Sequence, residues 1–592
     1  MICRTYMLLF SVLCFVAGQN VWAQSLDLED IAQAVAEYES LFEDTDSASD
    51  PELEIELQRL MPLLPESILP TVVESDAVKT TPSARSAILG WWRSQDPLPA
   101  SEVNERMVEH VRRVQHALDH YGCLSCQKGY DERGEIYVRY GEPERISRVT
   151  FDDPLLIDAI YQPGVAVSPA DFPDNEFWRY LDLDRDAYFL FIQDGGFYRI
   201  GDTSDLLPSV LRSGLGYSGR GQVKSRMLLA AMRSIYRQLA LEHHHFGSRF
   251  NDVDLWLSAR EETGRLRNRD PLENSKIITG AALVQGERPE PSDLDEELRQ
   301  PASIFAQNII LNARTQDQQA AYQREILLPS SSSEVLNALP TFALGVRHAR
   351  FLKPDGTTTT EIYWHPESTS FTVPGYPAQE EYIIKSFVAH EDAAHTRLKS
   401  ITDAIRVEMP SATEGVTIPV QTIEVNESTG LYHLALQWDQ HEVTPAGIGN
   451  RLQLASRRID SLRALDASGA TLEMSDLKPL AYNIDTDQLA PWPHQWIYKG
   501  MRFGLGFEIY HLTYGPGDQT SYRVTYQVSS GRRRISSTSA EFEGQSRMEA
   551  EEVYLDLGQR AGEIIVTVSV KDQLSGHEIS RSLTLMLYDE QG

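Results

Sequence analysis

Cysteine is scarce in this 592-residue chain, which holds four in all, too few for a small disulfide-framed scaffold. Positive charge is also short. Lys and Arg number 54 against 86 Asp and Glu, a formal net charge of -32. An acidic surface repels phosphate, so nucleic acid is excluded as an expected partner. Past the first two dozen residues no run reaches 18 apolar residues, and no transmembrane span is expected there. No complete catalytic motif is present, and no cofactor is read from the sequence. What is there is a globular mixture, 41% hydrophobic and 24% charged. Its length suits about four domains.

Residues 1–23, MICRTYMLLFSVLCFVAGQNVWA, place Arg4 before an apolar run from about Tyr6 to Ala17, then Val21-Trp22-Ala23 as a cleavage site. This is the pattern of a secretory signal peptide cut after Ala23. The run is shorter than the ~20 residues that cross a bilayer. Leu13 argues against lipid attachment at Cys14, which needs a small residue there. The expected compartment is periplasmic or extracellular, and the expected partners are envelope or secreted proteins. Cys3 and Cys14 leave with the signal. Cys123 and Cys126 remain as a C-x-x-C pair, and an oxidising compartment favours a local disulfide. Redox-active thiols and a metal pair stay open as alternatives.

The pattern of the chain gives an α+β multidomain protein. Residues 24–87 form a helical N-terminal region, with Leu28, Ile31, Val35, Tyr38 and Leu41-Phe42 at helical spacing. Residues 88–205 form an α+β domain. In it Ser101 is the expected cap of a helix whose apolar stripe runs Val103, Met107, Val111, Val114, Leu118 and Tyr121, charges filling the other face. Glu135–Tyr140 alternates and predicts a strand, as do Glu176–Tyr180 and Ala187–Ile192. Residues 206–334 are a helical connector with helices at 222–243 and 301–327 and a polar excursion at Gly286–Glu297. From about Leu339 the period becomes two. Ala343–Leu352 and Thr357–Trp364 flank Lys353-Pro-Asp-Gly356, a hairpin signal. Two β-sandwich-like domains are expected, 335–482 and 490–590, with Pro479–Pro493 as a linker.

The α+β block carries a resemblance. Trp91-Trp92-Arg93, Asp96-Pro97, Pro99 and Asn104-Glu105 precede Tyr130-Asp-Glu-Arg-Gly134 and Ile136-Tyr-Val-Arg-Tyr-Gly-Glu-Pro143; Phe177–Tyr180 and Phe189–Tyr198 follow. Over about 120 residues this resembles the GWxTD domain of secreted bacterial proteins. The chain resembles a divergent member, with Gly129 and Asp131 at the motif's tryptophan and threonine positions. Leu505–Tyr514 with Tyr522–Val528 resembles the C-terminal β-region of larger members. The family has no established activity, so the resemblance implies fold and compartment rather than chemistry.

Candidate chemistry is sparse. Asp131, Glu132, Arg133, Arg139 and Glu142 crowd one expected turn and strand. Paired carboxylates there would suit acid–base work, or the group is a binding surface or an ion-pair network. Trp492 and Trp496, beside Tyr498, either stack on a glycan or staple two domains. His243 and His245 in the run His243-His244-His245 are the metal candidates, the alternative being favourable placement of histidine at a helix C-terminus. His390-Glu-Asp-Ala-Ala-His395 imitates H-E-x-x-H, but its i, i+5 spacing would set the histidines some 140° apart on a helix. Asp182–Asp186 lacks the later EF-hand ligands, and Ser475-Asp-Leu-Lys478 stands alone as S-x-x-K. The reading is an exported, non-enzymatic interaction or scaffold protein. The alternative is an envelope hydrolase or carbohydrate-binding protein using the acidic cluster or the tryptophans.

Overall fold

The computed structural model describes residues 28–589 except 44–50, 75–76, 152–153, 155, 158–166, 213–219, 268–301, 335–340, 367–380, 409–419, 426–429, 446, 484–487, 532 and 558–560. The expected signal peptide, residues 1–23, and the expected polar excursion Gly286–Glu297 lie outside the described residues. The protein is mixed α and β, with helices mostly N-terminal and several separate sheets. The helices are α1 (Leu28–Glu43), α2 (Pro51–Leu60), α3 (Leu69–Val72), α4 (Pro82–Ser94), α5 (Glu105–His120), α6 (Glu132–Tyr140), α7 (Ser209–Arg212), α8 (Arg220–Glu242), α9 (His245–Arg267) and α10 (Ala302–Leu327). No described helix is long and apolar enough to cross a membrane. Two compact units emerge: residues 1–46, 81–108 and 335–592, and residues 47–80 with 109–334.

In the first unit the expected hairpin forms. β7 (Leu344–Leu352) pairs antiparallel with β8 (Thr358–Pro366). Gly356 takes φ 86° at the turn, and its amide donates to Lys353 O at 3.0 Å. β11 (Val420–Val425) joins β8, while β9 (Glu381–Glu391), β10 (Arg397–Glu408), β12 (Leu431–Thr444) and β13 (Gly447–Arg463) form a four-stranded sheet ordered β10-β9-β12-β13. The two sheets share one core, in which Val346, Ile362 and Trp364 meet Ile384, Val388, Leu434, Leu436 and Trp438. A second pair of sheets follows. β14 (Glu473–Met474), β15 (Lys478–Asn483), β16 (Gln488–Pro491), β18 (Phe503–Tyr510) and β21 (Glu549–Leu555) make one. β17 (Trp496–Tyr498), β19 (Thr520–Ser530), β20 (Arg533–Gly544), β22 (Gly562–Asp572) and β23 (Glu578–Tyr588) make the other. Leu505, Phe507 and Ile509 meet Val524, Val528, Ile564, Val566 and Val568 in their common core, as the alternation predicts. Pro479–Pro493 is not a linker. β15 and β16 pair there, with Pro491 at the end of an edge strand, where a missing N–H costs nothing.

In the second unit β1 (Val73–Glu74) pairs with β2 (Ala77–Val78), and in a sheet ordered β3-β4-β5-β6 the two central strands are buried on both faces. Its strands are Arg145–Ser147, Asn175–Arg179, Tyr188–Asp194 and Phe197–Ile200. Phe177, Tyr188, Leu190 and Ile192 face α8, α9 and α10. Trp178, Phe189 and Phe191 face Ile136 and Tyr140 of α6. The expected strand at Glu135–Tyr140 is thus helix α6. The helix packs on two sides. Ile136 and Tyr140 are one i, i+4 pair, and Gly134 and Val138 are another, all four buried. Two interleaved i, i+4 pairs give the same alternating pattern as a strand. The deciding signals are the caps. Asp131 caps the start, and Gly141, φ 81°, ends the helix by donating to Tyr137 O at 2.7 Å. Gly134 has no substitute, because a Cβ there would lie 2.7 Å from the Tyr130 ring.

One expectation for α5 also changes, and its charged face needs a qualification. Its cap is Asn104, not Ser101: Asn104 Oδ1 accepts from the Arg106 and Met107 amides at 3.0 and 3.3 Å. Its charged face is not all solvated, since Glu109, His110 and Arg113 are buried.

Candidate functional site

The first candidates sit at the start of α6. Asp131 Oδ1 accepts from the Arg133 amide at 3.0 Å. The same carboxylate holds Arg133 Nη2 at 2.8 Å and accepts from the Tyr198 amide at 3.0 Å. Next to it Glu132 accepts from the Ile200 amide. Tyr198 and Ile200 belong to β6, an edge strand, so the two carboxylates cover outward amides that the ladder leaves over. Arg133 lies over the Tyr198 ring at 3.6 Å and pairs with Glu176 at 3.3 Å. Glu176 in turn takes Arg148 at 2.9 Å and the Trp178 indole N–H at 3.0 Å. Burial holds the Tyr198 phenol above its usual range, although the Arg133 guanidinium pulls the other way.

Because α6 is a helix, the expected cluster divides. Asp131 and Arg133 stay together. Arg139 lies about 12 Å further along the axis at 1.5 Å per residue, where its Nε donates to Ser330 O at 3.0 Å. Glu142 is exposed beyond the helix. These two do not join Asp131 in one site.

Beside Asp131 lies a cavity of about 790 Å³. Its walls come from α2 and the turn after it (Glu54, Met61, Pro62), from Leu69 and Val78, from the cysteine loop, and from Glu132, Glu135 and Phe197. The loop is closed by a Cys123–Cys126 disulfide. The Cys126 amide donates to Cys123 O at 3.2 Å and the Cys123 amide to Gly129 O at 2.9 Å, so the loop is a tight turn. Cys126 lines the cavity and Lys128 pairs with Glu135 at 2.6 Å across its wall. No sequence signal points to the contributions from Met61, Leu69 or Val78. They come from a segment some fifty to seventy residues upstream, and only the fold brings them here.

Trp492 and Trp496 do come together, ring centroids 5.3 Å apart at 86°, with Trp492 Nε1 donating to Trp496 O at 2.7 Å. Between them His494 stacks on Trp496 at 4.6 Å and reaches His365 Nδ1 at 3.2 Å. A Cβ at Gly345 would fall 2.4 Å from the His494 ring. Arg347 Nε donates to His494 O at 3.0 Å and its Nη2 to Thr584 O at 3.0 Å. The tryptophans therefore belong to a packed seam joining β7 and β8 to the second sheet pair. Burial lowers His494 to about 4, so its imidazole is neutral at pH 7.

The histidine run occupies the turn between α8 and α9 rather than a free helix end. His243 and His245 do not converge. His245 Nε2 contacts Arg249 Nη2 at 2.8 Å, while His243 and His244 face Asp186 at 3.4 and 3.6 Å. Those three residues could gather donor atoms around an ion. Two features weigh against it. His243 Nδ1 accepts from the His245 amide at 3.2 Å, which leaves the proton on Nε2, the atom aimed at Asp186. The His243 and His244 rings also stack, 28° apart. A second group, His395, His433 and Asp460, lies in the first unit. Here the rings lie 3.8 Å apart, tilted by 32°, and Arg458 already sits against Glu391 and His395. The Arg458 guanidinium beside His395 disfavours a cation there. His390 and Glu391 are on strand β9, and His395 follows in a left-handed turn, φ 58°. The S-x-x-K serine is buried and spends its hydroxyl on Asp476 O and the Glu508 amide.

Compared with known proteins, the chain matches no protein-family model, and no characterised protein matches it in sequence.

Proposed function

We propose that this is an exported docking protein of the bacterial cell envelope that binds other envelope or secreted proteins and carries out no reaction of its own. In this reading residues 88–205 are a GWxTD-like domain, the two C-terminal sheet pairs are β-sandwich modules, and the first 23 residues direct export. One observation carries it. The acidic residues at the start of α6 are engaged by the fold: Asp131 by a helix cap, an arginine and an edge amide, Glu132 by a second edge amide, Glu135 by Lys128. A general acid or base needs an oxygen open to substrate, whereas an interaction surface needs rigid walls. Crosslinking in living cells of the native host, followed by mass spectrometry, tests the proposal. Repeated capture of one envelope assembly is expected. Turnover of a glycan or peptide by the pure protein would overturn it.

A further inference from the structure

We infer that the cavity beside α6 takes a basic peptide segment flanked by apolar residues, supplied by the protein partner. This rests on the docking reading above and names its chemistry. The cavity is about 790 Å³, within the ~300–1,000 Å³ range of pockets that enclose a ligand. Its floor is apolar, made by Met61, Pro62, Leu69 and Val78, all partly solvent-accessible, with the exposed ring of Phe197 at its rim. Water-exposed apolar side chains lining a concavity gain from being covered.

Charge selects what covers them. The lining carries Glu54, Asp131, Glu132 and Glu135 against Lys128. Asp131 is balanced by Arg133 and Glu135 by Lys128. Glu54 has no partner among the described residues, and Glu132 meets only a backbone amide there. Two carboxylates thus remain without a countercharge at the mouth. A phosphate or carboxylate ligand would be repelled. A purely apolar ligand would strip water from both glutamates and return nothing. An arginine or lysine between apolar neighbours answers both demands, its stem along the floor and its head at the rim.

Calorimetric titration of the mature protein with capped tripeptides tests this. Acetyl-Phe-Arg-Leu-amide is expected to bind at least ~10-fold more tightly than acetyl-Phe-Glu-Leu-amide. Glu54 is exposed on α2, so its replacement leaves the fold intact. Glu54→Gln should weaken the arginine peptide roughly 3- to 5-fold and Glu54→Lys by about 10-fold or more. Val78→Trp, which fills the cavity, should abolish binding of both peptides. Equal affinity for the two peptides, or unchanged affinity in Glu54→Lys, would overturn the inference. Those failures are distinguishable from failure of the docking reading, which the in-cell crosslinks judge from every face of the protein.

Discussion

The C-terminal sheets of the first unit fill the space between their faces with aliphatic and aromatic side chains and place buried charge, Glu391 and Asp572, at strand ends, whereas the second unit buries paired charges along its helices. In the first, Trp364 and Trp438 lie 6.0 Å apart in a core that is otherwise aliphatic and aromatic. In the second, Arg113 is 2% exposed and holds Glu109 at 2.7 Å and Glu334 at 3.3 Å, while donating to the carbonyls of Val138, Arg139 and Ser332. His110 meets Glu56 at 2.7 Å, and Arg249 meets Asp317 at 2.7 Å. The difference teaches where pattern reading works. A sheet with one apolar face announces itself by alternation. A helix that buries paired charges looks solvated, because the pattern cannot show that a charge has a partner.

The largest effects should separate these two modes. Arg113→Met removes the guanidinium that faces the buried Glu109 carboxylate and should cost about 3–5 kcal/mol. Adding Glu109→Gln should return part of that loss, since the buried charge is gone. Trp438→Ala removes packing only and should also cost about 3–5 kcal/mol, with no second-site charge change that restores it. Denaturant unfolding of the three variants checks the contrast. Equal loss for the single and double variants would remove it.

Asp131→Ala comes next. It removes the α6 cap, an ion pair and the acceptor for an edge amide, and should cost about 2–3 kcal/mol. Asp131→Asn, which keeps an acceptor oxygen, should cost less than Asp131→Ala. If the two unfold alike, the carboxylate is not pinning β6.

These residues also show how much the sequence could reveal. Asp131, with glutamates in the first turn and Gly141 ten residues on, is a complete set of helix end signals. The alternation of Ile136, Val138 and Tyr140 outweighed it, and only the two-sided burial of α6 explains that pattern. The expected hairpin at Gly356 and the face of Leu505, Phe507 and Ile509 were legible because each depends on residues close in sequence. The C-x-x-C pair was legible as a local disulfide for the same reason. The cavity was not, since its walls meet only through tertiary packing. The paired strands at Lys478–Pro491 were hidden by prolines, Pro479 near the start of β15 and Pro491 at the end of the edge strand β16.

Smaller effects sharpen the picture of the second unit. Cys123→Ser with Cys126→Ser opens a four-residue loop, for which chain entropy gives about 2 kcal/mol. Thermal unfolding with and without reductant should reproduce that loss in the wild type and show none in the double variant. The smallest effect concerns acid. Burial, then the neighbouring His120, lowers His116 to about 4, and its ring stacks on Tyr137 at 4.1 Å. The unfolded chain takes up its proton near pH 6.5 and the folded one only near 4. Its contribution to stability is therefore complete above about pH 6.5 and falls as pH drops toward 4. His116→Phe keeps the stack and should flatten that slope by less than about 1 kcal/mol, because the ring is only partly buried. An unchanged slope would remove His116 from the account.

The most direct measurement is amide hydrogen exchange at Tyr198 and Ile200 in the intact protein and in Asp131→Ala. If the acidic group is spent on the fold, both amides exchange slowly in the wild type, and the variant speeds Tyr198 at least ~10-fold while Glu132 keeps Ile200 slow. Tyr198 exchanging at the rate of a free amide in the wild type, unmoved by the substitution, would mean that these carboxylates are free for other work.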